Sequence, residues 1–412
     1  MEKISRRNML LKGGALGAAG ALTMATPAAA RSLWTWKASG SVAGTGTGLD
    51  PKWVWDDETD PVVASLLDRG GVPQVNQLLR GWTYNSQPLP SGLPSDIRDY
   101  IEYARQLPSW ADKNKLKLAT EFYKKRGLYL GLCYGFASGM MSCAIPNEAR
   151  AVYYSKGGAD MRDRITKTAK LGHDIGDLNA YEPGGDMIVT AVKTRLVHAA
   201  VRHLLPQSPY WPSVNGEKPI PISQADILVT WHSLATTAHR QLHRWKLRMP
   251  QAELDAFLHL WQVSVYMLGV KEEYIPASWA AAESQCQQVL DPILARTPEG
   301  VKLADILLDL AQLDLNGDGR SFLRAPLHAL TRYMLGDRVT DAIGVPREPY
   351  WDGLVEWAWP RFVAIREGAI LLPLAPNIAW IFDEILRTGV LFYLGKGQNI
   401  YIEMPTANRT QF

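Results

Sequence analysis

Two stretches between Asp160 and His203 carry side chains suited to chemistry at helical spacing. In MRDRITKTAKL, Arg164, Lys167 and Thr168 stand at i, i+3 and i+4, so a guanidinium, an amine and a hydroxyl share one face. In MIVTAVKTRLVHAAVRHLL, His198 precedes Ala199 and Ala200 and shares its face with Ala191, Thr194, Val201 and Leu205. A histidine on a small, apolar stripe opposite a polar-tipped helix suits a flat, oxygen-binding ring held between them. The ordinary alternative is a hydrogen-bonded core histidine. Taken alone, Arg162, Arg164, Lys167 and Lys170 read as a solvated face.

The elements that position these groups are legible from their ends. Asp160 can cap the first helix and Gly172 can end it; Asp186 can cap the second, with Pro206 following its end. Upstream, Pro146 suits the first turn of a short helix, and Glu148 falls where a helix dipole favours a carboxylate. Gly157-Gly158 breaks the chain before the Asp160 helix.

Helical patterns also run over 60–80, 95–107, 114–143, 223–249, 251–270, 276–296, 300–313 and 323–335, so the expected class is all-α. Gly127, Gly131, Gly135 and Gly139 repeat every four residues. Each costs about 1 kcal/mol against alanine in a helix, so the stripe implies close approach by a neighbouring helix, a flat cofactor or an extended apolar chain. His232, His239 and His243 share a face but lack the carboxylates that a di-iron bundle draws from several helices. Asp314 to Gly319 resembles half of a calcium loop, yet Ala325 stands where the closing glutamate belongs, so it reads as a turn. The tail VLFYLGKGQNIYIEMP alternates around GKGQ and predicts a small hairpin. Residues 31–60 read as a surface arm anchored by Trp34, Trp36, Trp53 and Trp55.

Composition bounds the function. The chain has 412 residues, 47% of them apolar, and 15 tryptophans, which excludes a disordered protein. Lys3, Arg6, Arg7 and Lys12 against Glu2 account for the whole net charge of +3, so the rest is formally neutral and offers no basic stripe for nucleic acid. Ser5-Arg6-Arg7 followed by Lys12, a mild apolar run and Ala28-Ala29-Ala30 has the form of a twin-arginine export signal. We therefore divide the chain into a signal, 1–30, and a single helical domain, 31–412, that is secreted, monomeric and without a membrane-spanning helix. Cys133, Cys143 and Cys286 are too few for a disulfide framework.

The segments NEARAVYYSKGGADMRDRITKTAKLGHD and TAVKTRLVHAAVRHLLPQSPYWP resemble the latex clearing proteins, the haem b rubber oxygenases, and the resemblance covers essentially the whole chain. It implies a globin-like helical core around a haem, with additional N- and C-terminal helices. It implies His198 as the proximal ligand of the haem iron, Lys167 as a distal ligand in a closed state, and Arg164, Thr168 and Glu148 in the distal pocket, with Glu148 as base and Thr168 helping to orient it. No CxxCH motif is present, so the haem is expected to be b-type, held by axial ligation and packing. The implied reaction cuts the double bonds of poly(cis-1,4-isoprene) within the chain using O2, leaving aldehyde and ketone ends. Proton abstraction by Glu148 and direct attack by oxygen both remain open. A rival reading is a non-enzymatic globin-like haem carrier or sensor, which needs only His198 and a ligand opposite. Another is a surface protein that binds polymer through its tryptophans.

Overall fold

The computed structural model describes residues 34–154, 161–216, 218, 220–312, 323–369 and 375–407. Its first long helices are Asp60–Asp68 (α1), Val72–Leu79 (α2), Ser95–Ala104 (α3), Lys113–Leu132 (α4), Pro146–Tyr154 (α5), Met161–Asp174 (α6) and Met187–Leu204 (α7). Then come Gln224–Trp231 (α8), Thr237–Arg244 (α9), Gln251–Met267 (α10), Trp279–Val289 (α11), Pro298–Ala311 (α12), Arg324–Leu335 (α13), Pro349–Ala369 (α14) and Ala375–Leu394 (α15). Among the described residues the only β feature is an isolated antiparallel bridge between Ser41 and Pro276. The all-α class is therefore correct. The export signal and the acidic turn at Asp314 lie outside the described residues.

The long helix α4 starts because Asp112 accepts hydrogen bonds from the amides of Asn114 and Lys115. Leu116, Ala119, Phe122, Tyr123 and Tyr129 bury its inner stripe. That stripe packs on α10, where Phe257 meets Phe122 at 5.0 Å between ring centroids. Helix α10 is apolar nearly all round and sits in the core. The end of α4 widens into a π-helical stretch, Cys133–Gly139, which packs on a second one, His232–Thr236; Ser138 and Ser233 bond across them at 2.8 Å. His232 bonds Thr236 and Gln285, and His239 stacks on Trp279 while bonding His243, so each member of the histidine face has a protein partner. At Gly127 a Cβ would come within 3.3 Å of Asp383 on α15, so glycine here admits a neighbouring helix. At Gly131 and Gly135 a Cβ would meet nothing within 4 Å.

Several expected ends move. The pattern over 60–80 is two helices, because Gly70 takes φ +70° and breaks it. Helix α6 runs through Gly172 to Asp174. Asp186 occupies the cap position of α7, but its carboxylate bonds Lys170 at 3.0 Å rather than capping. The expected C-terminal hairpin is absent: VLFYL completes α15, whose apolar residues recur at helical spacing. The turn Lys396-Gly397, at φ +53° and +70°, then ends it. The tail lies on α2, where Asn76 exchanges two hydrogen bonds with Met404 and Arg80 pairs with Glu403. At the other end, Trp36 is buried and donates to Ala281 on α11, which makes it an anchor of the arm.

Helix α7 is fixed by a buried ion network. Asp56, just before α1, receives Arg195 in two bonds of 2.6 and 2.7 Å, and Arg195 also reaches Glu58 at 2.8 Å. Arg202 pairs with Asp60 at 2.7 Å. Burial raises the pKa of Asp56, but the bonds and charges of Arg195, with the charge of Arg202, more than offset it and hold the carboxylate ionised. Gly269, at φ +93°, lies where any Cβ would fall 2.6 Å from this pair. Removing Asp56 takes away both of Arg195's shortest bonds and leaves that buried guanidinium only the Glu58 carboxylate at the edge of the network. Asp56→Ala is therefore expected to cost about 3–5 kcal/mol in urea unfolding. A loss below about 1 kcal/mol, the range of exposed pairs, contradicts the network's anchoring role.

Candidate active site

Four helices, α5, α6, α7 and α8, converge on the residues picked out above. Glu148 stands in the first turn of α5, behind Pro146. Thr230 of α8 donates its hydroxyl to Glu148 Oε1. Burial pushes the Glu148 carboxyl up to about 8; the Thr230 bond opposes the rise and the charge of Asp226 adds to it. Asp226 is itself kept ionised because the Lys218 ammonium, 2.5 Å away, outweighs its burial. Burial first, and the Asp226 carboxylate second, favour the protonated form of Glu148 near neutrality.

Arg164 of α6 donates to Val152 O at 2.7 Å, one of the last carbonyls of α5, which have no partner within that helix. Burial lowers its pKa to about 10, so it stays charged at neutral pH. That charge is felt at His198 on α7. Burial first, then Arg202 and Arg164, lower the imidazole to about 3, against the opposing charge of Asp56. His198 is therefore neutral throughout the ordinary pH range. Its Nδ1 is buried without a hydrogen-bond partner. Both His198 and Glu148 are enclosed by protein yet only half-buried by accessible surface, as groups lining a crevice are. Val201, Leu205 and Trp211 form an apolar cluster beside them, with Ala151, Tyr154, Val197 and Ile222 packed against it.

The structure thus draws Arg164, His198 and, through α5, Glu148 to one junction. Lys167 lies along the same helix as Arg164, but its amine is paired with Asp163 at 2.8 Å. Thr168 does not orient Glu148: it is exposed and its hydroxyl returns to Arg164 O at 3.1 Å. Thr230 takes that place, a residue the sequence reading passed over. Its one signal is position, since it lies a single turn after Asp226 on α8, on the same face.

This donor set bears on what the crevice can hold. Among the described residues no group of three histidine, cysteine or carboxylate side chains gathers as a site for a free metal ion. One neutral imidazole with an unpartnered nitrogen fits an iron whose remaining ligands come with a macrocycle. The residues present therefore fit a haem, whose iron His198 would hold. The Glu148–Thr230 bond gives a direct test of the local electrostatics. In Thr230→Val the carboxyl is expected to titrate above the wild-type value, because the lost bond stabilised the ionised form. Infrared titration of the carboxyl band reads this; an unchanged or lowered midpoint contradicts the assignment.

The chain is similar to known proteins over most of its length. Residues 125–366 match the family described as "ER-bound oxygenase mpaB/B'/Rubber oxygenase, catalytic domain". The chain is 57% identical over 410 residues to the rubber oxygenase of Streptomyces sp. (strain K30), covering 99% of this chain and 100% of the relative. It also superimposes, at a TM-score of 0.81 and 57% identity, on the structure titled "Structure of Latex Clearing Protein LCP in the closed state", covering 90% of this chain and 100% of that one. With the match spanning α4 to α14 and a relative this similar over its full length, the chain belongs to the ER-bound oxygenase mpaB/B'/rubber oxygenase family.

Proposed function

We propose that the protein is a haem b dioxygenase that cleaves the double bonds of poly(cis-1,4-isoprene) within the chain. The family supports an oxygenase acting on rubber. The observation that carries the rest is the junction itself: a neutral imidazole and a carboxyl raised to about 8, both lining the crevice, with the Arg164 cation between their helices. His198 would hold the iron of the haem, which would supply the binding and activation of O2. The uncharged substrate offers only apolar area, worth about 25 cal/mol per Å² buried. The partly buried Ala151, Tyr154, Val197 and Ile222, packed on the Val201–Leu205–Trp211 cluster, supply such a wall.

Cleavage of one C=C bond consumes one O2 and places one oxygen on each new carbonyl, an aldehyde and a ketone. Electrons balance without an external reductant, and the products keep every hydrogen of the substrate. A proton taken by Glu148 from the allylic carbon must therefore be returned. A carboxyl near pKa 8 suits both steps, because neither form is strongly disfavoured near neutrality. Thr230 fixes Oε1 and leaves Oε2 for the substrate. Arg164 stabilises negative charge developing on oxygen. Lys167 can turn toward the crevice only after leaving Asp163.

The raised carboxyl sets the sign of the pH dependence. If the ionised base is required, turnover rises with pH and levels off above about 8. In Glu148→Gln, haem is retained, turnover falls by about 10²–10⁴ and the acidic limb vanishes. Oxygen uptake on a latex emulsion at matched haem content measures this. Near-normal turnover in the variant removes the base and leaves direct attack by oxygen.

A further inference from the structure

Helix α15 is built inside out. Within its residues 381–394 the charged side chains are Asp383, Glu384 and Arg387, and all turn toward the protein. Asp383 is buried and accepts from the Leu128 amide at 2.9 Å and from Arg366 at 2.5 Å. Glu384 meets His173 and Arg387, and Arg387 donates to His173 O at 2.8 Å. The outer face carries Ile381, Phe382, Ile385, Leu386, Val390 and Phe392. Phe382 and Phe392 are each 69% exposed and Ile385 is 67% exposed. The other exposed residues on that face are Thr388 and Gly389. The end of α14 that Arg366 ties to Asp383 adds Ile365, 73% exposed. An ordinary surface helix shows the reverse arrangement, and a contiguous exposed apolar patch marks an interaction surface.

The inner side of α15 grips the active-site helix. Arg162 on α6 donates to Tyr393 O at 2.5 Å and Leu394 O at 3.1 Å, and Thr166 reaches Leu394 O at 3.2 Å. Arg164 lies between these two contacts and Lys167 directly follows them. The apolar face is thus the outside of a layer whose inside holds the catalytic helix.

We propose that this face of α15 seats the protein on the bulk hydrocarbon of a polymer particle, separately from the segment of chain that enters the crevice. The inference rests on the polyisoprene reading above. Charge selects the occupant. An anionic lipid surface draws lysine and arginine beside the apolar face, and the exposed side of residues 381–394 has neither. A protein partner is met by a polar rim, and among the described residues 381–394 the exposed side offers only Thr388. A second copy needs about 800 Å² per partner, more than one helix face of this length offers. A water-insoluble, uncharged polymer asks for apolar area alone. Contact at α15 also brings the particle against the layer that covers α6.

The test uses full-length protein and the variant Phe382→Ser/Phe392→Ser, both sites being exposed and outside the catalytic junction. Sedimentation with polyisoprene particles and with paraffin particles, which offer no double bond, measures adsorption. Turnover is read on polyisoprene particles and on a short, detergent-dispersed oligo-isoprenoid. The expected result is adsorption at least about tenfold weaker to both particles, a matching loss on particulate polyisoprene, and unchanged turnover on the dispersed substrate. Equal adsorption by variant and wild type overturns the proposal. So does an equal loss on the dispersed substrate, preferential wild-type binding to phospholipid vesicles, or a wild-type dimer that the variant dissociates. If paraffin binding depends on the face but no polyisoprene is cleaved, the surface assignment stands and the substrate reading falls.

Discussion

Desolvation is the constraint on which this protein depends. Enclosing ionisable groups between helices penalises their charged forms, and the fold distributes that penalty unevenly. His198 receives no counter-charge strong enough to offset it and stays neutral, as a metal ligand must. Glu148 receives a hydrogen bond from Thr230 but also the repulsion of Asp226, so its carboxyl rests near 8. Arg164 keeps its charge because a guanidinium starts from a pKa high enough to survive burial. Three neighbouring side chains thus hold three different protonation states. By contrast, Asp56, Arg195 and Arg202 are buried as partners, with half-buried Asp60 closing the network, and their role is to fix α7 rather than to react.

Much of the frame was legible because helices announce themselves by period and punctuation. The apolar spacing of α4 to α7, Pro146 at the start of α5 and the end of α7 before Pro206 all follow from local chemistry. His198, Arg164 and Glu148 were found through a resemblance, and their spacing alone would also fit a solvated face and a core histidine. The misreadings have physical causes. Alternation over a run as short as VLFYL fits strand and helix equally, and the preceding turns of α15 decide for helix. Asp186 has the composition of a cap, but Lys170 offers it a full charge. Thr230 was missed because its partner lies 82 residues away, where no local pattern reaches.

The same physics read outward explains α15. Asp383, Glu384 and Arg387 fall on one face of the helix, opposite the isoleucines, leucine and phenylalanines, and the sequence carries that pattern in the open. What the sequence cannot say is which face points in. The partners decide it: the Leu128 amide beside Gly127, Arg366 and the His173 carbonyl all lie on the protein side. Glycine at 127 and the charged face of α15 are one feature, since a side chain there would crowd Asp383.

The central claim is that His198 is the protein's ligand to haem iron. His203, the next histidine along α7, is occupied by Asp68 at 3.2 Å near the surface. The most direct measurement is the haem b content of purified wild type and His198→Ala, by pyridine haemochromogen spectra, with circular dichroism to confirm that both are folded. The account predicts haem in the wild type and folded protein without haem in the variant. Full haem content in His198→Ala would contradict it.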